Sequence, residues 1–186
     1  MEKPEPTKLE GVYVYEPKLI ADNRGFFIKA FSRELWQSCG VTLDIKEVNH
    51  SRSVKNVVRG LHFQWDPPLG KLIRVLRGGV FAVYVDIRKH SKTFGQWISV
   101  EQNEDNHAEV YAPPGIAAGF LALREANDVE YLYTAPYSPT GESVIKWNDA
   151  KIGINWPLEG TPILSPRDES AQTFEEWLKR PESDLF

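Results

Sequence analysis

Hydrophobic and polar residues alternate in short runs along most of this chain. GVYVYEP (11–17), GFFIKAF (25–31), KLIRVLR (71–77), VFAVYVDIR (80–88), QWISVEQ (96–102), AEVYAPP (108–114), GFLALRE (119–125), VEYLYTA (129–135) and SVIKWND (143–149) each read as a β-strand. A period of two gives a pleated segment one apolar face, and β-branched and aromatic residues fill it. Turn sequences separate the runs: DNRG (22–25), RGG (77–79), NEDN (103–106), PPG (113–115) and SPTGE (138–142). Many short strands at that spacing predict an all-β antiparallel sandwich or barrel, since nothing shows the strand-then-long-helix alternation of a parallel sheet. Two helices are predicted. One follows Ser32 as N-cap through ELWQSC and stops at Gly40; the other runs from about Glu169 to Arg180, with Glu175 and Glu176 ahead of Lys179 and Arg180 and Pro181 as its stop. With no internal repeat and no linker rich in Gly or Ser, residues 1–186 are expected to form one domain.

Composition narrows the function classes. The formal charge is −4 and basic residues are dispersed among acids, so the electrostatic footprint of a nucleic-acid binder is missing. MEKPEPTKLE at the start carries charges and prolines where a secretory signal needs an apolar run, and no apolar stretch approaches the length of a bilayer span. A single cysteine, Cys39, excludes an intrachain disulfide framework. A cytoplasmic protein with no membrane and no nucleic-acid partner is the expectation. Six tryptophans suit a packed β core and would equally suit stacking on a ring ligand.

Three polar features fall where an all-β core should be apolar. In VVRGLHFQWDPPLGKLIRV (57–75), alternation places His62 and Gln64 on one face and Leu61 and Phe63 on the other, and Arg59 and Lys71 lie close by. A base, two cations and an amide in one hairpin suit an anionic, hydroxyl-rich ligand, although a solvated sheet face would use the same residue types. Arg59 and His62 have opposite parity, so a regular strand cannot point both into one pocket. Gly60 between them predicts a bulge or bend. Tyr131 and Tyr133 share a face opposed to Leu132, as barrel packing or as an acid. Asp168 sits just ahead of the last predicted helix, where an N-terminal carboxylate is common. No G-x-S-x-G elbow or Gly-rich phosphate loop occurs. His62 has no second histidine two residues away, and His50, His90 and His107 lie in turn-like segments; no metal is expected.

Seven segments, in order from about residue 10 to about residue 170, carry a resemblance. DNRGFF (22–27), NHSRS (49–53), RGLHFQ (59–64), GKLIRV (70–75), VDIRKHSKTFGQW (85–97), PPG with GF (113–120) and KWNDAKIGINWP (146–157) resemble the dTDP-4-dehydrorhamnose 3,5-epimerases. The resemblance implies a cupin-like double-sheet jelly roll, a homodimer and no metal or organic cofactor. It also implies a nucleotide-sugar substrate, a 4-keto-6-deoxyhexose inverted at the carbons flanking its ketone. Carried over by position, His62 resembles the base, Asp168 its carboxylate partner, Tyr133 the acid on the opposite face and Lys71 the cation near the C4 oxygen. Arg24 and Arg59 resemble diphosphate ligands, and Asn49, Ser51 and Gln64 match positions lining the pocket.

The chain departs from the family pattern in three places. Ala118 stands where members usually have the histidine of A-H-G-F, Lys29 where glutamate is usual, and Glu47 where glutamine is usual. The last two bear on nucleotide contacts and leave the base open. Ala118 leaves open whether one centre or both are inverted. Two other readings stand beside the main one: a single-centre epimerase on another nucleotide sugar, and a carbohydrate-binding jelly roll using Trp65, Trp97, Trp147 and Trp156 without turnover. A mere binder has no need of a base, an acid and a carboxylate partner together.

Overall fold

Thirteen strands were traced in a computed structural model that describes residues 3–186, and all pair antiparallel. They are β1 (Glu5–Pro6), β2 (Tyr13–Tyr15), β3 (Ile20–Asp22), β4 (Gly25–Phe27), β5 (Glu47–Ser53), β6 (Val58–Gln64), β7 (Lys71–Arg77), β8 (Gly79–Asp86), β9 (Trp97–Asn103), β10 (Glu109–Ala112), β11 (Ile116–Ala122), β12 (Asn127–Tyr133) and β13 (Glu142–Val144). One sheet has the order β1-β2-β10-β7-β12-β5 and the other β13-β6-β11-β8-β9, while β3 and β4 form a separate hairpin. This is the cupin-like double-sheet arrangement that the resemblance implied.

Three apolar layers explain the strand patterns. Between the sheets, Ile73, Val75, Val110 and Val129 of the first meet Val80, Ala82, Tyr84, Ala118 and Phe120 of the second. The alternate residues of the second sheet, Leu61, Phe63, Val83, Val85 and Ala117, are covered by Ile145, Ile152, Phe174 and Trp177 of the C-terminal segment. Because both faces of β8 are buried, VFAVYVDI reads as a nearly continuous apolar run. On the outer face of the first sheet, Leu72 and Leu132 pack under Trp36, Val41 and Leu43.

Helix α1 (Arg33–Gln37) follows Ser32, whose Oγ accepts the Leu35 N–H, and the chain leaves through Gly40 at a φ of 84°. The long C-terminal helix expected over Glu169–Arg180 is instead two short ones, α2 (Pro166–Glu169) and α3 (Phe174–Leu178). Between them the chain runs extended, and the Lys146 N–H donates to the Gln172 carbonyl. Thr173 then starts α3 with a reciprocal capping bond to Glu176. Asp168 therefore lies inside α2 rather than ahead of a helix. Several expected strands are shorter: GVYVYEP is paired only over Tyr13–Tyr15, GFFIKAF only over Gly25–Phe27, AEVYAPP only over Glu109–Ala112, and SVIKWND only at its start. The segment Glu47–Ser53 was not expected as a strand, because its charged and polar residues show no apolar alternation.

Candidate active site

A cavity of about 190 Å³ opens between the sheets, bounded by β5, β6, β7, β8, β11 and β12. Its position depends on one irregularity in β6. Ala118 pairs with His62 and Phe120 with Arg59, so three steps on β6 face two on β11. Gly60 supplies the extra residue at a φ of 117°, which suits glycine alone. The parity conflict is resolved there, and both Arg59 and His62 line the cavity.

His62 Nε2 lies 2.7 Å from Asp168 Oδ1. Asp168 is 3% exposed, and its carboxylate also accepts the Gly60 N–H at 3.2 Å and the Ser165 hydroxyl at 2.7 Å. Burial alone would raise the Asp168 carboxyl, but the bonds from His62, Ser165 and Gly60 outweigh it and hold the group below its ordinary value. A carboxylate so held fixes the imidazole's orientation and supports it when it takes up a proton.

Lys71 reaches the same space from the first residue of β7. Its Nζ donates to the His62 carbonyl at 3.1 Å and stands 5.8 Å from the centre of the Tyr133 ring. Burial pushes its ammonium down to about 8, a shift that Glu142 opposes and Arg167 assists. Burial also raises the Tyr133 phenol well above its ordinary value, with Tyr131, Glu142, Glu47 and Tyr137 adding to the effect, so it keeps its proton at neutral pH. Tyr131 and Tyr133 lie side by side with ring centres 6.1 Å apart, and the Tyr131 hydroxyl meets Ser51 at 3.3 Å. Arg59 is steadied by the Ser53 hydroxyl and the Arg52 carbonyl.

The inner end of the cavity is apolar. Ile73, Val80, Ala82, Ala118 and Phe120 line it, and the Tyr84 hydroxyl is turned away to Gln102 at 2.8 Å. Gln102 spends its amide protons on the Ile73 and Ala108 carbonyls, so this pair offers a ligand nothing.

Thus His62, Asp168, Lys71, Tyr133, Arg59 and Ser51 come together. Three other expected residues do not line this cavity. Gln64 is buried with its amide committed to the Pro67 and Pro136 carbonyls and the Ser138 N–H, which makes it a brace for neighbouring loops. Asn49 is exposed on β5, opposite Tyr131. Arg24 is ion-paired to Asp22 on the exposed β3–β4 hairpin. The four tryptophans considered for sugar stacking do not line the cavity either: Trp65 is in the layer under the C-terminal segment, Trp97 and Trp156 pack against that layer, and Trp147 meets Trp156 edge to face. Sequence reasoning passed over Ser165, Tyr84 and Glu142. Ser165 carried a signal, since S-P-R-D is a capped helix start that would have set Asp168 in a first turn. Among the described residues no cluster of three or more His, Cys, Asp or Glu could hold a metal ion, and no helix is long and apolar enough to cross a membrane.

Residues 6–176 match the family model for dTDP-4-dehydrorhamnose 3,5-epimerase. The chain is 43% identical over 166 residues to the dTDP-4-dehydrorhamnose 3,5-epimerase of Methanothermobacter thermautotrophicus, covering 88% of this chain and 90% of that one. Among solved structures, the Legionella pneumophila dTDP-6-deoxy-D-glucose-3,5-epimerase in complex with dTDP-4-keto-L-rhamnose superposes with a TM-score of 0.92 at 38% identity, covering 97% of this chain and 96% of that one. A 3'-monoepimerase from Streptomyces bikiniensis in complex with dTDP-quinovose is also similar, with a TM-score of 0.87, 33% identity and coverage of 93% and 89%.

Proposed function

We propose a reaction from one premise: the chain belongs to the dTDP-4-dehydrorhamnose 3,5-epimerase family. The protein is an isomerase that inverts C3 and C5 of a dTDP-linked 4-keto-6-deoxyhexose, converting dTDP-4-dehydro-6-deoxyglucose to dTDP-4-dehydrorhamnose. The observation that carries this reading is the convergence of the His62–Asp168 pair, Lys71 and Tyr133 on one cavity.

Asp168 takes the Nε2–H of His62, which leaves the Nδ1 lone pair as the base. When His62 removes the proton beside the ketone, the C–H electron pair moves toward C4 and charge develops on its oxygen. The Lys71 ammonium meets that charge in a site shielded from water, where such a donor is worth about 3 to 4 kcal/mol. Tyr133 then gives its hydroxyl proton to the opposite face of the carbon, which inverts it. Exchange with water resets imidazolium and phenolate, so solvent hydrogen enters each inverted centre. Arg59 binds the diphosphate from the cavity rim. The working unit is a homodimer, in which Arg24 serves the diphosphate as well.

Ala118 favours a second reading in which one centre is inverted much faster than the other. It is the cross-strand partner of His62, and with it the inner end of the cavity has no polar group to orient the sugar for two successive deprotonations. Incubating the protein with dTDP-4-dehydro-6-deoxyglucose in D₂O and following deuterium by NMR tests both readings. Deuterium is expected at C3 and C5, and entry at only one carbon would establish the second reading. His62→Ala should slow exchange by about 10² to 10⁴. Exchange within about threefold of the parent would overturn the assignment of the base.

A further inference from the structure

On the outer face of the first sheet, away from the cavity, five titratable residues stand in one cross-strand row: His50, Glu130, Arg74, Glu109 and Tyr15, on β5, β12, β7, β10 and β2 in turn. None has a role in the reaction as derived above. Arg74 is committed to Glu130, with Nε at 2.7 Å and Nη2 at 2.5 Å from Oε1. Glu109 is left over. It is 1% exposed, Arg74 Nη1 stands 3.8 Å away, and among the described residues neither carboxylate oxygen accepts a hydrogen bond.

A cavity of about 170 Å³ lies over this carboxylate. Arg74 and Leu76 of β7, His107 of the turn before β10 and Glu109 itself line one side, and Phe26 of β4 and Ile28 just after it close the other. The Phe26 ring rests on the His107 ring, with centres 4.9 Å apart. The β3–β4 hairpin is therefore seated on the first sheet of its own chain, while Arg24 at its turn pairs with Asp22 in the open. The titratable groups facing Glu109 are Tyr15 from β2, Arg74 from β7, Glu130 from β12 and His107 from the turn; the hairpin lines the cavity with apolar side chains. Beneath them an ionised Glu109 is a buried charge with no hydrogen bond and a cation already shared, whereas the protonated acid is far cheaper to bury. Burial pushes the carboxyl up to about 8, opposed by Arg74 and assisted by Glu130.

We propose that protonated Glu109 seats the β3–β4 hairpin on the first sheet and that its ionisation releases the hairpin, which makes Glu109 a positioning residue for Arg24. A two-stranded hairpin has little stability of its own, and β3 and β4 pair over only three residues each, so this seat decides where the turn stands. Glu109 holds its proton more tightly under the hairpin than in water, where its ordinary value is 4.5. Docking is therefore strongest below about pH 4.5, weakens about tenfold for each further pH unit, and levels off above about pH 8. The effect on the reaction rests on the proposed role of Arg24; the seating of the hairpin does not.

Glu109→Gln keeps the shape of the side chain and cannot ionise. NMR of protein labelled with ¹³C at glutamate Cδ and in the phenylalanine and histidine rings follows both halves of the switch without substrate, the signals being identified by their loss in Glu109→Gln and Phe26→Leu. The Glu109 carboxyl should titrate above about pH 6.5, and through the same range the cross-peak between the Phe26 and His107 rings should fade in the parent and persist in Glu109→Gln. Because the variant keeps His107, Arg74 and Glu130, any effect of their titration is common to both proteins. In the deuterium-exchange assay, the KM of the parent relative to that of Glu109→Gln should rise about threefold or more between about pH 6 and about pH 9, with the kcat ratio unchanged. A Glu109 carboxyl that titrates below about pH 6.5, or a ring contact that survives its ionisation, would overturn the proposal. An unchanged KM ratio would overturn the part assigned to Arg24. If the ring contact responds as expected but the parent shows no exchange, the reaction assignment fails and the seating of the hairpin stands.

Discussion

A buried cation with only a carbonyl to hold it is a liability for folding, and Lys71 shows how much of this site's chemistry is set against stability. Burial pushes its ammonium from 10.5 down to about 8, which corresponds to about 3 kcal/mol of destabilisation at neutral pH. A depressed lysine binds fewer protons folded than unfolded, so this penalty is full below about pH 8. It fades as pH rises toward 10.5, where the unfolded chain also loses the proton. Lys71→Met should therefore raise stability at pH 7 by on the order of 1 to 3 kcal/mol while abolishing deuterium exchange. Urea denaturation at pH 7 and pH 10 checks it, with the gain expected to shrink at the higher pH; a variant less stable than the parent at pH 7 would contradict the account.

At the scale of elements, the bulge in β6 decides whether there is a site at all. A Cβ built on Gly60 would lie 2.6 Å from the Gly119 Cα and 2.7 Å from the Ala118 carbonyl oxygen, both backbone atoms that cannot yield cheaply, and the φ of 117° adds strain for any L side chain. Gly60→Ala should cost about 3 kcal/mol or more in urea denaturation. Whatever folds should bind dTDP weakly, because Arg59 and His62 no longer share a cavity. This bulge was legible in advance on one condition, that Arg59 and His62 serve the same ligand, because their opposite parity then forces a break in alternation and Gly60 is the residue that can supply it. So were the strands with an apolar face, such as KLIRVLR, whose expected limits coincide with β7. What was not legible has a common cause. Strand β5 is held by its neighbour β12 rather than by apolar alternation, so EVNHSRS carries no periodic signal. The break between α2 and α3 depends on a bond from the distant Lys146 N–H. Gln64 had the residue type of a ligand contact, and only the positions of Pro67, Pro136 and Ser138 reveal it as a brace. Side chains whose partners are remote in sequence cannot be assigned from local pattern.

At the scale of the whole molecule, the β3–β4 hairpin is unlike the rest of the surface. Ile20, Phe26 and Phe27 are 61%, 59% and 65% exposed there, and Leu19 beside them is also open. The N-terminal strand GVYVY raises no such problem, because β2 lies between β1 and β10. An apolar, exposed two-stranded hairpin is expected to be covered, and a second copy of the chain related by a two-fold axis covers both hairpins at once. Arg24 adds a chemical reason. It lies on the hairpin, 85% exposed and outside its own chain's cavity, so a role on the substrate's diphosphate requires the cavity of a partner. Sedimentation at micromolar concentration should give twice the mass of the chain, and a monomer would end the argument. A mixing experiment then tests the exchange of Arg24. In a mixed dimer of Arg24→Ala and His62→Ala chains, one cavity has its own His62 and receives an intact Arg24 from the other chain, while the second cavity lacks both. Unfolding and refolding the two weak variants together should restore about a quarter of the parental rate at low substrate, since half the dimers are mixed and each has one sound site. If Arg24 acts within its own chain, no cavity in the mixture is complete and the rate stays at that of the variants alone.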